Sequence, residues 1–242
     1  MNVYLYQNNT EKILKNDYIW EVWTPNASRT LLYLPLESNT NDYSGNNRTC
    51  TPTSVSFTTV GWVKSAHVWT TGWIALPNFI NKNTSSAATL SILLYVTSQT
   101  TSSRRYFWEY AVSNSSQFYW LINSSVSYYT IWGVWTSASS LSSDSWTVVA
   151  NKWNNIVYTA DSTEQCLYIN WEKIATWTGT SYPRWNPSTI TEQWKYVLCP
   201  RQWVSMWTSL NWNAREIIWE NKKWNDTDVA NYYNQIKQEL WL

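Results

Sequence analysis

Glycine is scarce in this sequence. There are 5 glycines in 242 residues, where an average composition of about 7% would give roughly 17. The turns must therefore be built from other residues. Charge is also sparse, with 14% charged residues and a net charge of +1. That excludes the basic face a nucleic-acid binder needs to neutralise phosphates. The doublets Arg104-Arg105 and Lys222-Lys223 read as solvated surface. Histidine occurs once, at His67, and the three cysteines, Cys50, Cys166 and Cys199, are far apart with no CxxC pair. Neither a zinc site nor a disulfide framework is signalled, and buried free thiols are expected. No apolar run approaches the roughly 18 residues of a membrane span, so no membrane insertion is expected. The first eight residues lack a basic n-region and an apolar h-region, so they do not read as a secretory signal. The chain is expected either to be mature as written or to leave the cell by another route, such as assembly into a virus particle followed by lysis. A virion or cell surface reached without the classical pathway is the expected location.

Tryptophan fills the gap, with 21 residues. Several stand where a turn asks for glycine. Asn170-Trp171 separates two alternating runs, 165–169 and 172–176. Asn-Gly between such runs forms a type I′ hairpin, which needs positive φ at both central residues. An L-residue pays roughly 1–2 kcal/mol in the left-handed region, and a bulky aromatic there is an outlier. Trp20, Trp212 and Trp241 raise the same suspicion. UGA differs by one base from GGA (glycine) and from UGG (tryptophan), and variant codes read it as one or the other. The sequence therefore suggests UGA recoding at several of these positions, against the plainer reading of a tryptophan-rich core or sugar platform. UGG codons at 20, 171, 212 and 241 would overturn it.

Residues 3–6 and 18–23 read as short strands flanking a polar turn at Asn8–Glu11, and 24–28 as a linker. Two units follow: a short N-terminal β segment with linker over 1–29, and a main domain over 30–242. From Thr30 onward, short aromatic and β-branched runs alternate with Ser/Thr/Asn clusters, the rhythm of a sandwich or barrel. Tyr106–Val112 and Gln117–Ile122 are expected to pair. The one helix is predicted at the end. Asn225 caps it, with Asp228 three residues on, and Val229, Tyr232, Tyr233, Ile236 and Leu240 form one apolar stripe expected to pack inward.

Three segments carry a resemblance. Lys152–Asp161 followed by Leu167-Tyr168-Ile169-Asn170-Trp171-Glu172 resembles the laminin-G-like, concanavalin A-like lectin/glucanase superfamily, whose members show a Trp before a strand, a short turn with Asp, and "LYINGE". Leu34-Pro35-Leu36-Glu37 with Asn41–Asn47 resembles its first strand and "D-x-S-G-N-G" loop. Arg215–Lys222 followed by the Asn225 helix resembles its last strand, "DEVRIYNRALSDEEI". The three follow in family order over residues 31–240. The resemblance implies an all-β fold, an antiparallel two-sheet jelly-roll sandwich with one C-terminal helix. It matches Trp153 and Trp219 to aromatic positions and Trp171 to a glycine, while Trp224 reads as an ordinary tryptophan. It also implies a structural calcium with Asp42 as candidate ligand. Arg215 stands where the family has an aspartate, and Asp42–Gly45 reads equally well as a plain turn.

Catalysis has little to stand on. Glucanases of the superfamily set paired carboxylates on one strand face as E-x-D-x-E, and no such run exists here. Glu216 and Glu220, four apart in a predicted strand, are expected to be edge or surface groups. His67 lacks a Gly-x-Ser-x-Gly partner and reads as a strand residue. No enzyme and no cofactor are expected. Trp108, Trp120, Trp132, Trp135, Tyr128 and Tyr129 are candidate sugar platforms, but sequence alone does not separate a binding face from a core face, so the ligand-binding residues stay unassigned. Two functions remain open. One is a carbohydrate- or receptor-binding module whose partner is a glycan or cell-surface receptor. The other is a structural or decoration protein of a virus particle, self-associating or docked on virion proteins.

Overall fold

The computed structural model describes residues 23–76, 87–96, 148–161, 163–178 and 212–240, and as backbone strands 3–7, 10–15, 18–21, 104–110, 117–122, 127–132, 138–142 and 195–198. The first three strands, β1 (Val3–Gln7), β2 (Thr10–Lys15) and β3 (Tyr18–Glu21), form an antiparallel sheet of their own, ordered β1-β2-β3. Thr10 and Glu11, expected in a turn, instead open β2, where Glu11 pairs with Tyr6. A polar two-sided ribbon carries no strong period-two signal, so its middle strand is hard to read from sequence.

The main body is an all-β, largely antiparallel two-sheet sandwich with a single C-terminal helix, as expected. Its strands are β4 (Thr30–Leu34), β5 (Thr51–Val60), β6 (Val63–Leu76), β7 (Ala87–Val96), β8 (Arg104–Tyr110), β9 (Gln117–Ile122), β10 (Ser127–Trp132), β11 (Ala138–Ser142), β12 (Trp153–Asp161), β13 (Glu164–Ile169), β14 (Glu172–Thr178), β15 (Lys195–Leu198) and β16 (Trp212–Glu220). One layer runs β6-β16-β7-β12-β13-β14, with β4 beside β16, and the other runs β6-β15-β8-β9-β10-β11. The expected pair at 106–112 and 117–122 is β8 and β9, which are antiparallel neighbours.

Strand β6 belongs to both layers. Ala66–Val68 pair with β16, while Ile74–Leu76 pair with β15. The switch passes Gly72, where a Cβ would stand 2.3 Å from the Ser54 carbonyl oxygen. Only glycine lets the backbones approach so closely. Ser54 opposite sits at φ 48° in a break of register between Thr53 and Val55. A bulge of this kind bends a strand and re-aims its side chains.

Between the layers lies an apolar core that includes Leu32, Leu34, Val68, Ile74, Ile92, Leu94, Ile156, Leu167, Ile217 and Trp212. A second apolar layer lies on the outer face of the first sheet, where Leu93, Val157, Tyr168 and Ile218 meet Val229, Tyr232 and Ile236 of the helix α1 (Asp226–Leu240). Strand β12 is covered on both sides, and its residues from Asn154 to Ala160 are all buried. Tyr233 departs from the expected inward stripe. It is half-buried on the helix flank, with the Lys237 ammonium 5.8 Å from its ring centre. The helix starts as expected: Asp228 N–H donates to Asn225 Oδ1 at 2.8 Å, and Asn225 N–H to Asp228 Oδ2 at 3.0 Å. This reciprocal capping satisfies backbone donors that would otherwise lack partners.

Residues 24–28, expected as a linker, run into a hydrogen-bonded turn over 27–29. Asn26 carbonyl accepts from Arg29 N–H at 2.9 Å, and Asn26 Oδ1 accepts from Ser28 N–H at 3.0 Å. Trp23 ties this turn to the helix through its N–H to Gln235 Oε1 at 2.7 Å.

Candidate functional site

Glu216 and Glu220 lie on the same face of β16, two positions either side of Ile218, and that face is the one the helix covers. Glu220 is buried and Glu216 half-buried beneath the helix, rather than at the surface, which corrects the expectation. Glu220, 0% exposed, accepts from Trp224 Nε1 at 2.7 Å, Trp23 Nε1 at 3.0 Å and Thr30 Oγ1 at 3.0 Å, with Arg29 Nε 3.4 Å away. Glu216 accepts from the Tyr232 hydroxyl at 2.7 Å and is also bonded to Tyr33. Burial raises the Glu216 carboxyl above its ordinary range, and hydrogen bonds from the two tyrosines offset this only in part. A buried carboxylate is tolerated only with such partners. Both glutamates therefore fasten the helix layer to the sheet, which leaves neither free to serve as a paired-carboxylate centre.

Asp42 is likewise committed to its own loop. Its Oδ1 accepts from Tyr33 N–H at 3.1 Å and Ser44 N–H at 2.9 Å, and its Oδ2 from Ser44 Oγ at 2.9 Å and Arg48 N–H at 3.0 Å. Calcium takes six to eight oxygens from carboxylates, carbonyls and water. Among the described residues no group of three or more His, Cys, Asp or Glu converges. The described geometry around Asp42 is that of a turn held by its side chain.

Lys222 and Lys223 are ion-paired rather than merely solvated. Lys222 Nζ lies 3.0 Å from Asp228, and Lys223 Nζ lies 3.0 Å from Asp161 and 2.6 Å from Glu164. Burial opposes the charge on Asp161, but bonds from Thr163, Lys223 and the Glu164 N–H outweigh it and hold this carboxyl well below its usual range. Cys50 and Cys166 are buried free thiols, and burial pushes Cys50 up to about 12. Cys199 lies outside the described residues.

Among the described residues, several polar and aromatic groups on the outer face of the first sheet share one row. Trp153 of β12 pairs with Tyr95 of β7, Tyr95 with Asn213 of β16, Asn213 with His67 of β6, and His67 with Ser56 of β5. Directly paired residues share a face. The rings of Trp153 and Tyr95 are 5.5 Å apart. His67 Nδ1 is 3.3 Å from Asn213 Oδ1, and Asn213 Nδ2 donates to Ser65 Oγ at 3.0 Å. Trp69, two residues from His67 on the same face, meets the imidazole edge-on at 4.5 Å and is 50% exposed. Trp153, Tyr95 and His67 are half-buried, whereas Asn213 is buried. The arrangement offers ring faces and edges beside an imidazole held by a fixed amide, the mixture that suits a polar ligand with apolar patches. His67 was expected on a strand and is there, but its neighbours were not foreseen. Pairing across four strands brings them together, and no local spacing encodes it. The side chains of Trp108, Trp120, Trp132, Trp135, Tyr128 and Tyr129 lie outside the described residues.

No protein-family model matches the sequence, and no curated protein matches it. Solved structures do resemble the fold. The crystal structure of the botulinum neurotoxin serotype D/C binding domain superposes with a TM-score of 0.68 at 15% identity, covering 87% of this chain and 53% of that one. The serotype D binding domain gives 0.67 at 16% identity, with 86% and 52% covered. A type C neurotoxin structure, described as entering cells through two ganglioside molecules, gives 0.68 at 15% identity, with 87% and 52% covered. The chain spans about half the length of these solved chains. At such low identity the likeness establishes the fold alone, a β-sandwich of the kind these toxin binding domains contain.

Proposed function

We propose that this chain is a non-enzymatic carbohydrate- or receptor-binding β-sandwich module that faces outward from whatever carries it. The row Trp153–Tyr95–Asn213–His67, flanked by Trp69, is the observation that carries this reading. Aromatic rings stack on the apolar face of a sugar, while the half-buried imidazole, held in place by Asn213, bonds its hydroxyls. The fold is consistent with this role, because the toxin structures it resembles include one whose cell entry is described as dependent on two ganglioside molecules and one in complex with rat synaptotagmin II. Fold likeness alone does not assign a function, so the row itself has to be tested. A glycan array should identify a ligand. Tyr95→Ala and His67→Ala should each weaken it at least about tenfold, which corresponds to roughly 1.4 kcal/mol, without lowering the melting temperature by more than a few degrees. A bound glycan whose affinity is indifferent to both substitutions would move the site elsewhere. No glycan binding at all would remove the reading.

The second reading is a structural or decoration component of a virus particle, and the separate three-stranded sheet β1–β3 favours it. Among the described residues this sheet shares no hydrogen-bonded strand with the sandwich, and edge strands are the elements that pair with another chain. Deleting residues 1–21 should then abolish incorporation into particles while leaving glycan binding intact. Equal incorporation of the shortened chain would argue against it. The two readings are compatible, since a particle decoration can also bind host glycans.

A further inference from the structure

We propose that residue 171 of the protein made by its own organism is glycine, inserted at a UGA codon, whereas residues 153 and 224 are tryptophan. Asn170 and Trp171 are the two central residues of the turn joining β13 to β14, because Ile169 pairs directly with Glu172. Their φ angles are 51° and 76°. This is the double left-handed geometry of a two-residue hairpin. Asn tolerates it, and here it is held in place: Asn170 Oδ1 accepts from Asn155 N–H at 2.8 Å, and Asn170 N–H donates to the Asn155 carbonyl at 2.8 Å. Register and these bonds leave the next residue no looser alternative. Only a residue without a Cβ adopts that conformation freely.

The tryptophan side chain gains little in return. Trp171 is 58% exposed, at the tip of a hairpin. Of the six described non-glycine residues at positive φ, it is the only aromatic one. Trp224 contrasts at every point. It is 2% exposed, its ring lies 5.0 Å from Tyr232, and its Nε1–H meets Glu220 at 2.7 Å. Trp153 also packs, against Tyr95 and the helix-side apolar layer. The geometry thus separates a position that excludes a side chain from positions that use one. Trp212, suspected from sequence, belongs with the second group, since it is 0% exposed in the inter-sheet core and lies at no positive φ. Trp20 and Trp241 lie outside the residues whose side chains are described.

Trypsin places the comparison in two peptides. The peptide from Trp153 to Lys173 holds both Trp153 and Trp171, and the peptide from Trp224 to Lys237 holds Trp224. Fragmentation of the first, from protein purified from its natural source, should show tryptophan at 153 and a residue lighter by the tryptophan–glycine difference at 171. The second should match the written sequence. Tryptophan at 171 overturns the proposal, and so does glycine at 153 or 224. The gene gives an independent reading: UGA at 171 with UGG at 153 and 224 supports the assignment, and UGG at 171 ends it. The outcome does not depend on whether the chain binds a glycan.

Discussion

Trp224 beneath the helix and Trp171 at the hairpin tip place one side chain in two opposite settings. Under the helix, indole rings from distant parts of the chain, Trp23 and Trp224, meet Tyr232 and donate to one buried carboxylate, Glu220. At the tip, the backbone adopts a conformation that a Cβ opposes, and the ring points mostly into solvent. Composition counts both as hydrophobic. Only the first converts that hydrophobicity into stability, because only there do burial and a satisfied N–H coincide.

The sharpest way to break this comparison is to remove the useful ring. Trp224→Ala should destabilise the fold by about 4 kcal/mol, from lost burial, the cavity left behind, and a carboxylate deprived of one donor. Glu220→Ala comes next, at about 3 kcal/mol. It strands Trp23 Nε1, Trp224 Nε1 and Thr30 Oγ1 without their acceptor and leaves Arg29 without its counter-charge. Denaturant midpoints measure both. A cost under about 1 kcal/mol for either would mean that the helix layer is not the clamp described here.

Trp171→Gly should act in the opposite direction. In recombinant protein that carries tryptophan at 171, the substitution should stabilise by about 1 kcal/mol, from relief of left-handed strain. Part of that gain is offset because glycine loses more entropy on folding. Trp171→Ala should give less, since alanine keeps the Cβ. If alanine stabilised as much as glycine, the benefit would come from removing the exposed ring, and the backbone argument would fail.

The turn, the capping box and the helix were legible in the sequence because each is local. Asn170-Trp171 between alternating runs fixes a hairpin, and Asn225 with Asp228 fixes a helix start. The jelly roll was legible through three ordered motif matches. What sequence could not reveal depends on partners far along the chain. Glu216 and Glu220 look like surface carboxylates because their donors come from residues 23, 29, 30, 33, 224 and 232. The row from Trp153 to His67 exists only once β12, β7, β16 and β6 lie side by side. The sharing of β6 between two layers depends on Gly72 meeting Ser54, a contact that no periodicity predicts.

Titration sharpens the comparison on a smaller scale, because two carboxylate settings shift in opposite directions. Asp161 and Glu164, both held by Lys223, have folded-state pKa values below the ordinary ones. Their stabilisation is therefore present above the unfolded range of about 4 and is lost as pH falls through the folded values. Lys223→Met should lower stability at pH 7 by roughly 1 kcal/mol, since the ions are partly exposed and screened. It should also flatten the acid limb of a stability–pH profile. A parallel profile, merely displaced, would show that these bonds do not set the acid sensitivity.

Glu216 is the reverse case. Its folded-state pKa is raised by burial, so the protein is favoured below the unfolded glutamate value of about 4.3 and loses stability as pH climbs through the folded one. Glu216→Gln keeps an acceptor for the Tyr232 hydroxyl and removes the charge. The variant should match the parent in mild acid, or fall slightly below it, and gain on it steadily as pH rises above the ordinary glutamate range. The same substitution at Glu220, whose carboxylate faces Arg29 and two indole N–H donors, should remove stability at neutral pH. If Glu216→Gln lost as much stability as Glu220→Gln at neutral pH, the two glutamates would be equivalent anchors and burial would carry no charge penalty at Glu216. The difference in pH slope between Glu216→Gln and its parent is the quantity to measure. It isolates the charge because the side-chain shape and the strand are common to both.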